Sequence, residues 1–189
     1  MITYREYLEL AGIKMSDDDW EIYEPRLEKV DYKKGDLIIK QGDVEDYLSV
    51  ITKGIARYYI EKDDKEITLN FVFEHNYFSA YESFLTRKPS PYNIEALTDV
   101  SLWRSSYESF KYFHQHASIG NYLGRIAAEG LYLRKAEREI SFLTETAEQR
   151  YLYLLEKDKN LLQKVPLKYI ASYIGVTPQA LSRIRKRIS

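Results

Sequence analysis

From Val30 onward the chain is punctuated as β structure. KVDYKKGDLIIKQGD, YLSVITKG, IARYYIEKDD and KEITLNFVF are short runs rich in Ile, Val, Thr, Tyr and Phe, parted by Gly-Asp or Asp-Asp turn signals. Turns recurring every ~8 to 12 residues belong to all-β sandwiches and barrels, where each strand crosses one sheet and reverses. YNIEALTD and VSLWRSS add two further runs, with Thr98-Asp99 at the turn between them. About eight such strands predict an antiparallel jelly roll or barrel. Between the two strand groups lies an insert, Tyr77 to Pro91 (YFSAYESFLTRKPSP), with a short helix expected at its centre.

Helical signals flank this roll. Tyr4 to Ala11 and Asp17 to Glu28 read as packing helices, the second opened by Ser16 as N-cap with Asp17, Asp18 and Asp19 in its first turn, where negative charge is favoured. After the last strand, Ser105 or Ser106 caps a helix through Phe110, and a longer helix follows. There Ile119, Ile126, Leu133 and Ile140 recur at a seven-residue interval, with Tyr122, Leu123 and Ala136 partly filling a second seam that Gly130 and Glu137 interrupt. This is coiled-coil spacing. It places Ile119, Leu123, Ile126 and Leu133 at a dimer interface, or else on a helix packed against its own barrel. Thr146-Ala147-Glu148-Gln149 reads as a capping box for a helix reaching about Lys157, and Lys159 to Val165 as a connector.

The segment Leu167 to Ile188 (LKYIASYIGVTPQALSRIRKRI) reads as two short helices about a glycine. Leu167, Ile170, Ala171 and Ile174 share one helix face, Gly175 supplies the left-handed stop, Thr177 the next N-cap, and Pro178 the first position of the second helix. On that helix Leu181, Ile184 and Ile188 form an apolar stripe, leaving Gln179, Ser182, Arg183 and Lys186 outward. A hairpin of this kind can be plain packing, but its charge favours a helix-turn-helix whose second helix enters the DNA major groove. Residues 159–189 hold seven basic residues and no Asp or Glu, so subtracting them from the whole-chain charge of −1 leaves −8 on residues 1–158. A local basic patch on an acidic chain is what attraction to phosphate requires.

Composition narrows the alternatives. The chain has 189 residues, 44% apolar and 14% aromatic, enough for a medium domain and a small one with real cores. The absence of cysteine excludes disulfides, thiol catalysis and Cys-ligated zinc or iron–sulfur centres. The start, MITYREYLEL, is charged early, and no apolar run has the length of a signal segment or membrane span, so a cytoplasmic protein without a membrane partner is expected. No G-x-S-x-G, P-loop or HExxH motif occurs, and a non-enzyme is expected. A jelly roll also suits metal-dependent cupins, but these need clustered His and Glu on neighbouring strands, and here His114 and His116 follow the last strand with His75 apart from them. No metal site is therefore expected.

The order of elements, helix, eight-stranded roll with a helical insert, long helix and C-terminal helix-turn-helix, resembles the Crp/Fnr family of regulators. The stretches that carry the resemblance are KKGDLIIKQGDVEDYLSVITKGIARYY, EALTDVSLWRSS and ASYIGVTPQALSRIRK, and it spans Tyr32 to Ile188. The resemblance implies an α+β chain: a cyclic-nucleotide-binding-like antiparallel roll with its N-terminal helices over 1–115, a dimerisation helix over 116–142 and a winged-helix-like helix-turn-helix domain over 143–189. It implies a homodimeric transcription regulator on a palindromic operator in double-stranded DNA. Gln179, Ser182 and Arg183 would read bases, while Lys168, Thr177, Arg185, Lys186 and Arg187 would hold phosphates. Family members often place Arg-Glu where Pro178-Gln179 stands, so an altered operator is expected.

Members that bind cyclic nucleotides carry Phe-Gly-Glu and later Arg-Ser/Thr-Ala in the insert. Here Ala80 stands for the glycine, Tyr81 or Glu82 for the glutamate, and Ser90 is close to the arginine position. Without glycine, close backbone approach to a phosphate is harder, and without the arginine its charge partner is missing. Weak or no cyclic AMP binding is therefore expected, with no cofactor assigned. Tyr77, Phe78, Tyr81, Glu82, Arg87, Ser90 and Tyr92 line the expected effector pocket, with Glu82 and Arg87 as an ion pair in the pocket or on the surface. The effector itself stays unidentified. In an effector-free form the barrel would instead serve as scaffold or as a docking surface for RNA polymerase.

Overall fold

Two four-stranded antiparallel sheets face one another in the computed structural model, which describes residues 4–10, 12–63, 65–157 and 161–188. Helices α1 (Tyr4–Leu10) and α2 (Asp17–Tyr23) precede them. Strands β1 (Leu27–Tyr32), β2 (Leu37–Ile39), β3 (Tyr47–Lys53), β4 (Ala56–Lys62), β5 (Lys65–Val72), β6 (Tyr77–Phe78), β7 (Asn93–Ala96) and β8 (Val100–Ser106) pair in the orders β1-β8-β3-β6 and β2-β7-β4-β5. Between β6 and β7 sits α3 (Tyr81–Thr86), the helix expected inside the insert. The inner faces meet in one apolar cluster that includes Ile51, Ala56, Val72, Phe78, Ile94 and Leu102. These residues alternate along their strands with outward ones, as a two-sheet core requires.

Several boundaries differ from the sequence expectation, for local reasons. α2 stops at Tyr23 rather than reaching Glu28, because Pro25 enforces a 3-10 turn over Glu24–Arg26 and the following residues pair with β8 from Leu27↔Ser105 onward. The insert begins with a two-residue strand, β6, hydrogen-bonded to β3. Ser106 is the N-cap, its hydroxyl accepting from Ser109 N–H, and the helix it opens, α4 (Tyr107–His116), continues to His116 instead of ending at Phe110. Ala11, the expected end of the first helix, and Lys159 lie outside the described residues.

α5 (Gly120–Thr144) is the long helix. Its first turns are pressed onto α4 (Tyr107–His116): a Cβ on Gly120 would lie 2.6 Å from the Phe113 carbonyl oxygen, and one on Gly124 2.1 Å from the His114 ring. Ile119 and Leu123 are consequently turned inward, against the cluster that Tyr4, Leu8, Ile13, Phe113 and Ala117 build with the outer face of sheet β1-β8-β3-β6. Of the two places the spacing allowed, both residues take the one against the barrel. Asp19 of α2 ties the same corner, its carboxylate accepting from the Ser118 N–H and hydroxyl at 2.6 Å each.

Four helices complete the chain: α6 (Ala147–Lys157), α7 (Leu161–Lys164), α8 (Leu167–Tyr173) and α9 (Pro178–Ile188). The Thr146 capping box forms reciprocally, Thr146 N–H to Gln149 Oε1 at 2.8 Å and Gln149 N–H to Thr146 Oγ1 at 3.3 Å. The described residues after Ser106 are helices and turns, so the winged form expected for the C-terminal domain has no strand among them. No helix of the described residues is long and apolar enough to cross a membrane.

The α4–α5 corner gives a direct test. A methyl group at Gly120 must displace backbone, and overpacking of that kind costs ~1–3 kcal/mol. Gly120→Ala is expected to lower the urea midpoint accordingly, whereas Gly130→Ala, whose Cβ would meet nothing nearer than the Arg134 side chain at 3.4 Å, is expected to raise it through the better helix propensity of alanine. Equal effects from both substitutions would contradict the close crossing.

Candidate nucleic-acid interface and barrel cassette

α8 and α9 form the predicted hairpin. Gly175 has φ +79°, and a Cβ there would lie 2.9 Å from the Phe142 ring, so both conformation and room require glycine. Val176 N–H reaches back to the Ala171 carbonyl, and Thr177 Oγ1 accepts from Ala180 N–H at 3.2 Å to cap α9. Ile170, Ala171, Ile174, Leu181 and Ile184 are buried in one cluster with Tyr151, Leu154, Leu161 and Val165. That leaves Gln179, Ser182, Arg183 and Lys186 exposed on α9, and Lys168 exposed on α8.

The remaining predicted contacts are distributed differently. Arg185 is half-buried, and Arg187 ion-pairs with Glu148 of α6. Arg187 must therefore exchange a carboxylate for any phosphate it would hold. Two arginines absent from the sequence reading fix the turn. Arg138 of α5 donates to the Tyr173 carbonyl at 3.2 Å, and Arg150 of α6 donates to Ile174 at 3.1 Å and to Glu145 at 2.6 Å. Both guanidinium groups lie 4.5 Å from the Phe142 ring centroid. They satisfy helix-end carbonyls that have no partner within their own helices and so attach the hairpin to the end of α5.

The cassette at α3 is occupied by the protein's own groups. Glu45, in the turn before β3, is buried, and its carboxylate accepts from Ala80 N–H at 3.2 Å and Tyr47 N–H at 2.9 Å. Burial holds its pKa above the usual carboxylate range despite these hydrogen bonds. Tyr58 from β4 places its hydroxyl on both backbone groups of Ser79, 3.1 Å from N and 3.0 Å from O, and its ring stands 5.4 Å from that of Tyr92. Ser83 accepts from Glu45 N–H and donates to the Lys88 carbonyl. The backbone groups entering α3 are thus met from inside.

The residues expected to line one pocket do not converge. Phe78 and Tyr92 belong to the barrel core, and Ser90 is buried with its hydroxyl donating to the Tyr92 carbonyl. Tyr77 faces the opposite side of its sheet, its hydroxyl 2.5 Å from that of Tyr4. Tyr81 stacks on Phe84. Glu82 and Arg87 do not pair with each other: Glu82 meets Lys135 of α5 at 3.6 Å, while Arg87 meets Asp46 at 2.6 Å and the Glu45 carbonyl at 2.8 Å. The left-handed backbone of Arg87, φ +58°, turns its side chain toward this loop. His114, against Phe110, and His116, stacked on Tyr112, share the last turn of α4, while His75 lies apart in the β5–β6 turn. Among the described residues no group of three or more His, Cys, Asp or Glu is placed to hold a metal ion.

Residues 29–117 match the family model of the cyclic nucleotide-binding domain. Over 73 residues, 38% of this chain, the sequence is 40% identical to a cAMP-dependent protein kinase regulatory subunit of Dictyostelium discoideum, of whose length the match takes in 22%. Similar folds include a protein described as a Crp/Fnr-family transcriptional regulator from Eubacterium rectale, with a TM-score of 0.73 at 19% identity, covering 97% of this chain and 87% of that one. FixK2 of Bradyrhizobium japonicum gives 0.71 at 20% identity, covering 86% and 84%. CLP of Xanthomonas campestris, a c-di-GMP-responsive global regulator, gives 0.67 at 17%, covering 92% and 91%. Residues 29–117 are therefore similar to a cyclic nucleotide-binding domain, and the fold of the chain as a whole is similar to those of FixK2 and the Eubacterium rectale protein.

Proposed function

We propose that this is a transcription regulator that binds a palindromic operator in double-stranded DNA as a homodimer, in the cytoplasm, without enzymatic activity. One observation carries the reading: a rigidly seated hairpin whose second helix exposes Gln179, Ser182, Arg183 and Lys186 on a surface with no acidic residue from Leu161 to Ile188. Gln179 suits the edge of adenine and Arg183 that of guanine, while Lys168, Lys186 and the Thr177 N–H face phosphates. Arg185 and Arg187 are reserve contacts, since Arg187 is held by Glu148.

Dimerisation rests on the second half of α5. Leu133, Ile140 and Leu143 are 64%, 59% and 80% exposed. With Ala136 they occupy the i, i+3, i+7 and i+10 positions of one helix face. A second copy bringing the same stripe would bury it about a two-fold axis, as paired operator half-sites demand. Ile126, of the expected seam, is half-buried at the boundary of this stripe.

For the barrel, the Glu45 and Tyr58 contacts support an effector-free reading, in which it is scaffold or docking surface for RNA polymerase. A cyclic phosphate would have to displace a buried carboxylate from Ala80 N–H and would find Ser90 near the place of the arginine. Cyclic AMP is expected not to bind, and titration calorimetry reaching micromolar affinity would overturn this.

Selection of duplexes from a random pool should yield a palindrome. On that sequence Arg183→Ala is expected to lose ~1–3 kcal/mol of discrimination at one base pair, whereas Lys186→Ala weakens all sequences alike and reduces the salt slope by ~0.9. Leu133→Lys should give monomers in sedimentation and lose the palindrome preference. The reading is abandoned if wild type selects no sequence.

The cassette predicts a pH effect. Because burial raises the folded-state pKa of Glu45, its contribution is fully present below the unfolded value of ~4.3 and is lost as pH rises through the folded value. Glu45→Gln cannot ionise. Urea titrations from pH 4 upward should therefore show the stability of wild type falling relative to the variant, and a constant difference would place the carboxylate in water instead.

A further inference from the structure

α8 has a second face. Ile170, Ala171 and Ile174 close the hairpin core, while Tyr169, Ser172 and Tyr173 address sheet β2-β7-β4-β5. The barrel meets them with Arg57 of β4, 0% exposed. Its Nε donates to Glu95 at 2.6 Å, one terminal nitrogen to Glu66 at 2.7 Å and the other to Thr68 Oγ1 at 3.4 Å. Its guanidinium carbon lies 4.2 Å from the Tyr59 ring centroid and 3.6 Å from that of Tyr169. Beside it, Ser172 Oγ accepts from Thr68 N–H at 2.9 Å and donates to the Glu66 carbonyl at 3.2 Å. β5 is the edge strand of its sheet, so Ser172 supplies backbone partners that a further strand would otherwise provide.

A desolvated guanidinium needs its charge matched and its planar faces covered. Glu66 and Glu95 match the charge from within the barrel, but Tyr169 comes from the hairpin. Lifting α8 away would wet Arg57 and expose the edge of β5 at Thr68. We infer that Arg57, Tyr169 and Ser172 form a positioning joint that seats the helix-turn-helix on its own barrel. The joint stands on these contacts alone. Its consequence, that each copy presents α9 in one direction and the dimer accepts one half-site spacing, rests on the DNA-binding reading above.

The test uses the full chain and the variants Arg57→Met, Arg57→Lys, Tyr169→Ala and Tyr169→Phe. Hydrogen exchange reads the joint without DNA. Arg57→Met and Tyr169→Ala are expected to speed exchange of the 168–176 amides and of Thr68 about tenfold, the equivalent of ~1.4 kcal/mol, leaving sheet β1-β8-β3-β6 as in wild type. Tyr169→Phe keeps the ring and should behave as wild type. Arg57→Lys, lacking the planar fork, should not restore protection. On operators whose half-sites are moved apart in single base-pair steps, the two disrupted variants should tolerate several spacings where wild type and Tyr169→Phe select one. Unchanged protection of 168–176 in Arg57→Met overturns the joint, as does a uniform rise in exchange through both sheets, which would make Arg57 an ordinary core residue. If wild type binds no DNA, the functional reading falls while the exchange result still decides the joint.

Discussion

The outer face of sheet β2-β7-β4-β5 is apolar where it meets the C-terminal helices, and covering that face organises the rest of the molecule. Ile55, Phe71 and Leu97 of the barrel share one core with Leu161, Val165, Ile170 and Ile174. Each such side chain withdrawn from water contributes ~1.5–3 kcal/mol. The hairpin is therefore held by burial first, and by its polar contacts in orientation. A second junction core, joining α1, α2, α4 and the start of α5 to the opposite sheet, does the same for the other side of the barrel. Sequence segments that look separable are stabilised by faces they share.

Buried and half-buried charges in this frame are compensated differently. Arg57 has two carboxylates and two rings. Arg138, whose pKa burial lowers, has a carbonyl and the rings of Phe142 and Tyr173. Glu45 has backbone N–H groups, with Arg87 bound to its carbonyl rather than its carboxylate. For Glu45 burial outweighs these hydrogen bonds, and the carboxyl resists ionisation.

The elements carrying strong local chemistry were legible in the sequence: the Gly175 turn, the Thr177 cap, the Thr146 box, and strands bounded by Gly-Asp and Asp-Asp. What escaped depends on partners remote in sequence. Arg57 alternates with inward Ala56 and Tyr58 and so reads as a solvated outward residue; nothing local says that α8 covers it. Glu45 lies in GDVED, which reads as a wet turn. Ile119 and Leu123 fit a heptad seam, yet the glycines at 120 and 124, one turn apart, carried the contrary signal that α5 approaches another helix closely there. The turns of Arg138 and Arg150 onto hairpin carbonyls had no signal beyond two basic residues near a helix end.

α5 then emerges as a helix whose faces are allotted to different neighbours. Its beginning is committed to α4, Lys135 reaches Glu82 of α3, and Arg138 and Phe142 hold the hairpin turn. The stripe through Leu133, Ile140 and Leu143 stays exposed. A heptad running the full length of α5 would have had to spend Ile119 and Leu123 twice. Confining the free stripe to the second half places any two-fold contact beside the hairpin rather than beside the barrel corner. Movement of α9 relative to such an axis would require breaking the Arg138 and Arg150 contacts or the barrel seat of α8, both made of desolvated charge. A ligand that moved α9 would have to prefer the arrangement in which those contacts are broken.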